Sequence, residues 1–143
     1  MVWATQLAFQ PSTPRVEAGT VVWWNYTCYA SMGIRLQNDG PHSKRVVRFT
    51  PPTNAGEVVH ATIPDNGEVK MTVDCTATCY RFGYRVVGDA NEDWTWIAEV
   101  DTQVLTRNPE IGQPFTGMML GLYAFGELQP VLAPAHFAFA AFR

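Results

Sequence analysis

The sequence predicts an all-β sandwich of antiparallel strands, and three observations support that prediction. Short segments with alternating apolar and polar residues recur along the chain, turn residues such as Pro64-Asp65-Asn66-Gly67 separate them, and we find no helical segment. Many short, evenly spaced strands are typical of two packed sheets. The 143 residues are enough for one domain with its own core, since 47% are hydrophobic and 16% are charged.

Four strands are predicted in the first third of the chain. Residues 3–9 alternate Trp, Thr, Leu and Phe on one face, and Pro11 ends the segment. Residues 20–24 are β-branched and aromatic, which favours a strand packed on both sides. Residues 32–36 alternate apolar side chains with Gly and Arg, so they predict a strand with one solvent-exposed face. Residues 45–49 form the next strand.

The rest of the chain predicts further strands, at residues 58–63, 69–73, 80–86 and 94–100. The second and third of these alternate in the same way and are close in sequence, so they predict a hairpin. In the fourth, residues two apart share a face, and we expect Trp94 and Trp96 to lie in the core.

The C-terminal part of the chain contains two apolar runs with almost no charge. Phe-Thr-Gly at 115–117 leads through an apolar pair to Gly-Leu-Tyr-Ala at 121–124, and Ala-Pro-Ala-His-Phe follows at 133–137. Both runs predict strands buried on one or both faces. This pattern resembles the end of the concanavalin A-like domain found at the C-terminus of family 43 glycoside hydrolases, the β-xylosidases and arabinofuranosidases. Agreeing segments occur in order upstream, at 7–11, 17–25, 32–36, 80–85 and 94–98.

The resemblance implies a concanavalin-like jelly roll formed by a single domain, residues 1–143, that lacks the opening strands of the family. It also implies a partner, the propeller-shaped catalytic domain that precedes this domain in the family and carries the catalytic acids. One loop of the family's domain reaches the rim of the active site with an aromatic side chain. Phe115 is our candidate for that contact, and a core position before a strand is the alternative for this residue. Met119 stands where an aromatic residue is expected from the family.

Charge and hydropathy restrict the other partners. The formal charge is −3 and there is no basic block, so we expect no nucleic-acid partner. No apolar stretch approaches the roughly 20 residues that cross a bilayer, and the N-terminus lacks the pattern of a signal peptide. We therefore expect no membrane span, and the resemblance favours secretion of the parent protein over a cytoplasmic location.

The acidic residues do not predict an active site. Glycoside hydrolysis usually needs two carboxyl groups held a few ångströms apart, and no spacing here marks such a pair. We interpret the carboxylates as mostly surface groups and predict no catalytic residue. The three histidines and three cysteines form no metal-ligand series, and residues 89–93 only begin like a calcium loop. We expect no metal and no cofactor.

Two aromatic residues are candidates for sugar binding. Flat side chains can stack against the apolar face of a sugar ring, and Trp23 and Tyr26 belong to an aromatic cluster. Because Trp23 and Trp24 point to opposite faces of a strand, at most one of them faces inward in a one-sided sheet. Packing in the core or under a covered sheet face is the alternative for Trp23.

Two covalent modifications are also predicted. Cys75 and Cys79 flank the tip of the predicted hairpin, where a disulfide is feasible, with Cys28 outside the bridge. Reduced cysteines are the alternative. Asn25 begins the glycosylation sequon Asn-Tyr-Thr, which matters only in a secreted protein.

Three functional hypotheses follow. The first is a non-catalytic accessory domain that stabilises a β-xylosidase-like catalytic domain and helps shape its substrate pocket. The second is an independent, lectin-like carbohydrate-binding module for xylooligosaccharides or another plant cell-wall glycan. The third, an enzyme acting alone, is disfavoured because no acid pair is evident.

Overall fold

A computed structural model describes residues 1–106 and 118–143 as ten strands and one short helix. The elements are β1 Val2–Phe9, β2 Val16–Asn25, β3 Cys28–Asp39, β4 His42–Thr50, β5 Val59–Thr62, β6 Val69–Cys75, β7 Cys79–Val86, β8 Thr95–Asp101, α1 Thr102–Thr106, β9 Met119–Gly126 and β10 Ala135–Phe142. All strand pairings are antiparallel.

The strands form two five-stranded sheets that pack face to face. The first sheet has the order β10-β1-β6-β7-β8, and the second has the order β5-β4-β3-β2-β9. Alternation along β1 buries Trp3, Thr5, Leu7 and Phe9 between the sheets, and the indole Nε1 of Trp3 donates a 2.8 Å hydrogen bond to Thr20 Oγ1 in the second sheet. The predicted all-β sandwich is confirmed, as is the hairpin of β6 and β7.

The prediction that Trp94 and Trp96 are core residues is wrong. The pairing of β7 with β8 shifts register, so that Phe82 lies opposite Ala98 while Gly83 lies opposite Trp96. Such a bulge inserts one residue and reverses the alternation beyond it. Trp96 therefore lies on the outer face of the first sheet, 40% exposed and 3.8 Å beneath the guanidinium of Arg81.

Three other expectations need correction. Strand β3 has no solvent-exposed face at its centre, because Gly33 and Arg35 on its outer side are buried. Strands β9 and β10 are edge strands and are largely exposed, whereas their apolar sequences predict burial. Helix α1 is a single turn after β8, and its Leu105 carbonyl accepts a hydrogen bond from the Cys28 thiol.

A buried arginine closes one end of the sandwich. Arg45 is 1% exposed, and its guanidinium donates hydrogen bonds of 2.8–3.0 Å to the backbone carbonyls of Phe9, Pro64 and Gly67. The charge is thus compensated by three carbonyl dipoles, and the end of β1 is tied to the turn before β6.

Replacing Arg45 with methionine should destabilise the domain by about 3 kcal/mol, because three carbonyls lose their donor inside the protein. Urea unfolding of Arg45→Met measures this loss. Arg85→Met is the matched control, since Arg85 donates to the carbonyl of Glu92 at the surface. Equal losses in the two variants would contradict the role given to Arg45.

Candidate functional site

The outer face of the second sheet carries the candidate site. Odd-numbered residues of β2 point to this face, and the strand register continues each of them into a row across the sheet. One row contains Tyr123, Gly19, Gly33 and Arg48. A Cβ atom at Gly33 would lie 2.3 Å from the hydroxyl of Tyr123, so the glycine leaves the space that the phenol occupies.

A cleft of about 480 Å³ opens on this face, and we call it the outer-face cleft. Its apolar and aromatic walls are Val21, Trp23, Tyr26, Tyr29, Tyr123 and Phe125. Its polar lining is Glu17, Ser31, Arg48, Thr50 and Glu127. A concave site of this size with apolar walls and a few polar groups is typical of small-ligand sites.

Two stacked aromatic pairs give the cleft flat walls. The rings of Trp23 and Tyr29 are 5.3 Å apart at 21°, and those of Tyr123 and Phe125 are 5.8 Å apart at 27°. Offset stacking of this kind stabilises each ring in its orientation. The sheet therefore holds two aromatic platforms on a single face.

A buried carboxylate lies beneath these rings. Glu17 is 1% exposed and accepts a hydrogen bond from the hydroxyl of Tyr123, while its Oε1 lies 3.2 Å from Nε of Arg35. Burial raises the pKa of Glu17, and the Tyr123 hydrogen bond and the Arg35 charge partly offset that rise. Burial likewise raises the pKa of Tyr123. The interpretation of the carboxylates as surface groups is wrong for Glu17.

The two arginines of this region differ in their partners. Arg35 contacts Glu17 and also donates a 2.6 Å hydrogen bond to Glu127, which lowers the pKa of Glu127. Arg48 lines the cleft, and its Nε is shielded from solvent without a hydrogen-bond partner among the described residues. Arg35 thus forms ion pairs with two carboxylates, and Arg48 forms none among the described residues.

The structure brings three of the four predicted contact residues to this face. Trp23 and Tyr26 line the cleft, with Tyr26 81% exposed at its mouth, and Met119 lies opposite Trp23 in the register of β2 and β9. Trp24 points the other way and is buried in the core. Phe115 lies outside the described residues. Contact of any of them with a substrate stays a prediction.

The residues predicted for modification lie in two hairpin turns. Cys75 pairs with Tyr80 across β6 and β7, and Cys79 pairs with Thr76 in the turn, so the two cysteines point to opposite faces of the hairpin. Both are free thiols in this structure. The side-chain oxygen of Asn25 accepts hydrogen bonds from Thr27 and from the backbone of Cys28, which closes the β2–β3 turn.

Sequence reasoning missed several residues of the cleft, including Glu17, Arg48, Tyr123 and Phe125, and also Arg35, which contacts Glu17. The alternation of Glu17, Gly19, Val21 and Trp23 in β2 was a usable signal, because it places all four on one face. The pairing of β2 with β9, about a hundred residues later, has no local signal.

Other kinds of site were sought in residues 1–106 and 118–143. In that part of the chain, no group of three or more His, Cys, Asp and Glu residues could hold a metal ion. No helix there is long and apolar enough to span a bilayer.

The fold and the cleft together define a class of protein, a two-sheet β-sandwich domain with an aromatic cleft on one outer face. Residues 1–143 match the family model of the β-xylosidase C-terminal concanavalin A-like domain, and the chain belongs to that family. This is the domain family that the sequence resembles, the one found at the C-terminus of family 43 glycoside hydrolases.

Solved structures support the fold. Xyloglucan PUL GH43B of Bacteroides ovatus is 23% identical with a TM-score of 0.80, over 99% of this chain and 27% of that one. The xylan β-1,4-xylosidase of Bacillus halodurans C-125 is 14% identical with a TM-score of 0.73, and the match covers 95% of this chain and 26% of that one. The GH43 protein BlXynB of Bacillus licheniformis is 19% identical with a TM-score of 0.67, and the match covers 95% of this chain and 26% of that one. The chain spans about a quarter of the length of these proteins.

Replacing Tyr123 with phenylalanine should make stability more dependent on pH. Because the folded-state pKa of Glu17 is raised, its contribution is fully present below the unfolded value of 4.5 and is lost as pH rises through the folded pKa. Loss of the Tyr123 hydroxyl raises that pKa further, so we expect Tyr123→Phe to cost about 2 kcal/mol at pH 7 and less at pH 4.

Urea unfolding at both pH values tests this prediction. Tyr26→Phe is the matched control, since Tyr26 lies at the mouth of the same cleft but is exposed. A loss of the same size at pH 4 and pH 7 would show that the hydroxyl does not act through Glu17.

Proposed function

We propose that this chain is a non-catalytic accessory domain of a β-xylosidase-like glycoside hydrolase, which stabilises the catalytic domain and helps shape its substrate pocket. Membership in the C-terminal domain family supports this role, and so does the quarter of each solved GH43 chain that the domain spans. One of those proteins is described as a xylan β-1,4-xylosidase. The remaining part of such a protein would be the partner.

The observation that carries the proposal is an exposed apolar loop. The segment between β9 and β10 contains Leu128, which is 100% exposed, and Leu132, which is 82% exposed. Leu128 also has a positive φ of 57°, an unusual conformation for a leucine. A domain–domain contact that covered these two side chains would offset their cost in water.

The carboxylates of the cleft are consistent with a non-catalytic role. Glu17 and Glu127 both contact the guanidinium of Arg35. A hydrolytic pair must flank the scissile bond of a sugar, whereas this pair flanks an arginine side chain. Their chemistry is therefore that of a structural ion-pair network.

The experiment combines this chain with a separately expressed family 43 catalytic domain. We expect the chain to bind that domain, to raise its unfolding temperature and to increase its hydrolysis of xylobiose. The double variant Leu128→Ser/Leu132→Ser should bind about tenfold more weakly, because it removes apolar area from the contact. Calorimetry and hydrolysis rates measure the two effects.

The control is Val87→Ser, which changes an exposed valine after β7. Unchanged activity of the catalytic domain when the chain is added would contradict the accessory role. So would the absence of a family 43 propeller from the neighbouring coding sequence.

A second candidate function is glycan binding in the outer-face cleft, favoured by the two stacked aromatic pairs. Sugar rings present apolar faces to such platforms, and the polar lining can bond their hydroxyls. The candidate is independent of the first, because the cleft belongs to the sheet and the exposed leucines belong to a loop.

Trp23→Ala should weaken the binding of xylohexaose by about tenfold, since it removes one platform. Isothermal titration of the 143-residue chain measures this. Trp96→Ala is the matched control, because Trp96 is an exposed tryptophan on the outer face of the other sheet. If Trp23→Ala binds xylohexaose as tightly as the wild-type chain, the glycan site does not include Trp23. If the wild-type chain shows no binding, glycan binding in the cleft is contradicted.

A further inference from the structure

The charges of the outer-face cleft are unevenly compensated. Arg35 contacts two carboxylates, and Arg48 forms no ion pair with a carboxylate of the described residues. The Nε atoms of both arginines lack a hydrogen-bond partner in that part of the chain, so the absence of an ion pair is what distinguishes Arg48 from Arg35. A guanidinium that lines a cleft without an ion pair can bind an anionic acceptor with its terminal N–H groups.

The register places Arg48 where a ligand of the cleft would reach it. Tyr123, Gly19, Gly33 and Arg48 form one row across β9, β2, β3 and β4. Because Gly33 carries no side chain, the phenol of Tyr123 lies over β3 and occupies the space above this glycine, towards Arg48 on the next strand. Tyr123 and Arg48 line the same cleft.

We propose that the outer-face cleft binds a glycan carrying a carboxylate, that is, a uronic acid unit, with Arg48 holding the carboxylate and the aromatic walls stacking a sugar ring. The proposal rests on the second candidate function and names its ligand class. Guanidinium and carboxylate match in planar, two-pronged geometry, which a sugar hydroxyl does not offer.

The neighbouring charges favour a single negative charge on the ligand. Arg48 lies close enough to Glu17 and Glu127 to lower the pKa of both, so the same carboxylates would repel a ligand near Arg48. Arg48 and Arg35 also lower the pKa of His60, whose strand pairs with β4 at Arg48, although burial contributes more. Two arginines and two carboxylates nearly balance in this region, which suits a singly charged carboxylate better than a doubly charged phosphate.

The test compares three ligands by isothermal titration of the 143-residue chain. They are a xylooligosaccharide with one glucuronic acid branch, the same compound with the carboxyl group reduced to an alcohol, and free glucuronic acid. We expect the acidic oligosaccharide to bind about tenfold more tightly than its reduced form. We also expect raising NaCl from about 50 to 500 mM to reduce that ratio, because salt screens the ion pair.

Arg48→Gln should bring the ratio of the two affinities to about one, and Arg48→Lys should retain part of it. Arg85→Gln, on the outer face of the other sheet, should leave the ratio unchanged. If Arg48→Gln fails to fold, the Nε–H resonance of Arg48 in the wild-type chain reports the contact. It should shift with the acidic ligand and not with the reduced one.

Each other outcome overturns a distinct statement. Equal affinities for the acidic and reduced oligosaccharides would overturn the uronic acid proposal and leave glycan binding intact. Free glucuronic acid binding as tightly as the oligosaccharide would overturn it in favour of a simple anion site. No measurable binding of any of the three ligands or of xylohexaose would overturn the second candidate function itself.

Discussion

The alternation of side chains along β2 is the constraint on which the rest of the structure depends. Val16, Ala18, Thr20, Val22 and Trp24 enter the core, while the odd-numbered residues between them form the outer face of the sheet. A shift of one residue would exchange the two sets and bury Glu17 in the core. Strand β2 therefore specifies the sandwich and the cleft at the same time.

The outer face holds a buried carboxylate, Glu17, because its charge is compensated within the sheet. Glu17 can stay beneath Tyr123 only with the Arg35 charge beside it and the phenol donating to it. Gly33 is part of the same arrangement, since any larger residue would collide with the phenol. Buried polar networks of this kind hold side chains in one orientation and add little to the free energy of folding. A binding surface needs side chains that are held in this way.

Local patterns predicted the strands and the two-sheet fold, because alternation and turn residues are local properties. These patterns failed where burial depends on which strands pair, because the paired strands are far apart in the sequence. The bulge opposite Gly83 turned Trp96 outwards, and the edge positions of β9 and β10 exposed apolar runs that looked buried. Local patterns indicated two residues of the cleft, Trp23 and Tyr26. They did not indicate Tyr123 and Arg48, because these residues reach the cleft only through the pairing of distant strands.

The two candidate functions meet at one edge of the domain. Glu127 lines the cleft and is followed in the chain by Leu128, the exposed residue that begins the apolar loop. The backbone of Glu127 is held by a 2.8 Å hydrogen bond to the carbonyl of Arg15, and Gln129 donates to Thr13, so the loop is anchored on the sandwich. A catalytic domain that covered this loop would stand beside the cleft. A glycan bound there would then be held next to the domain that cleaves it, so docking and binding would act together.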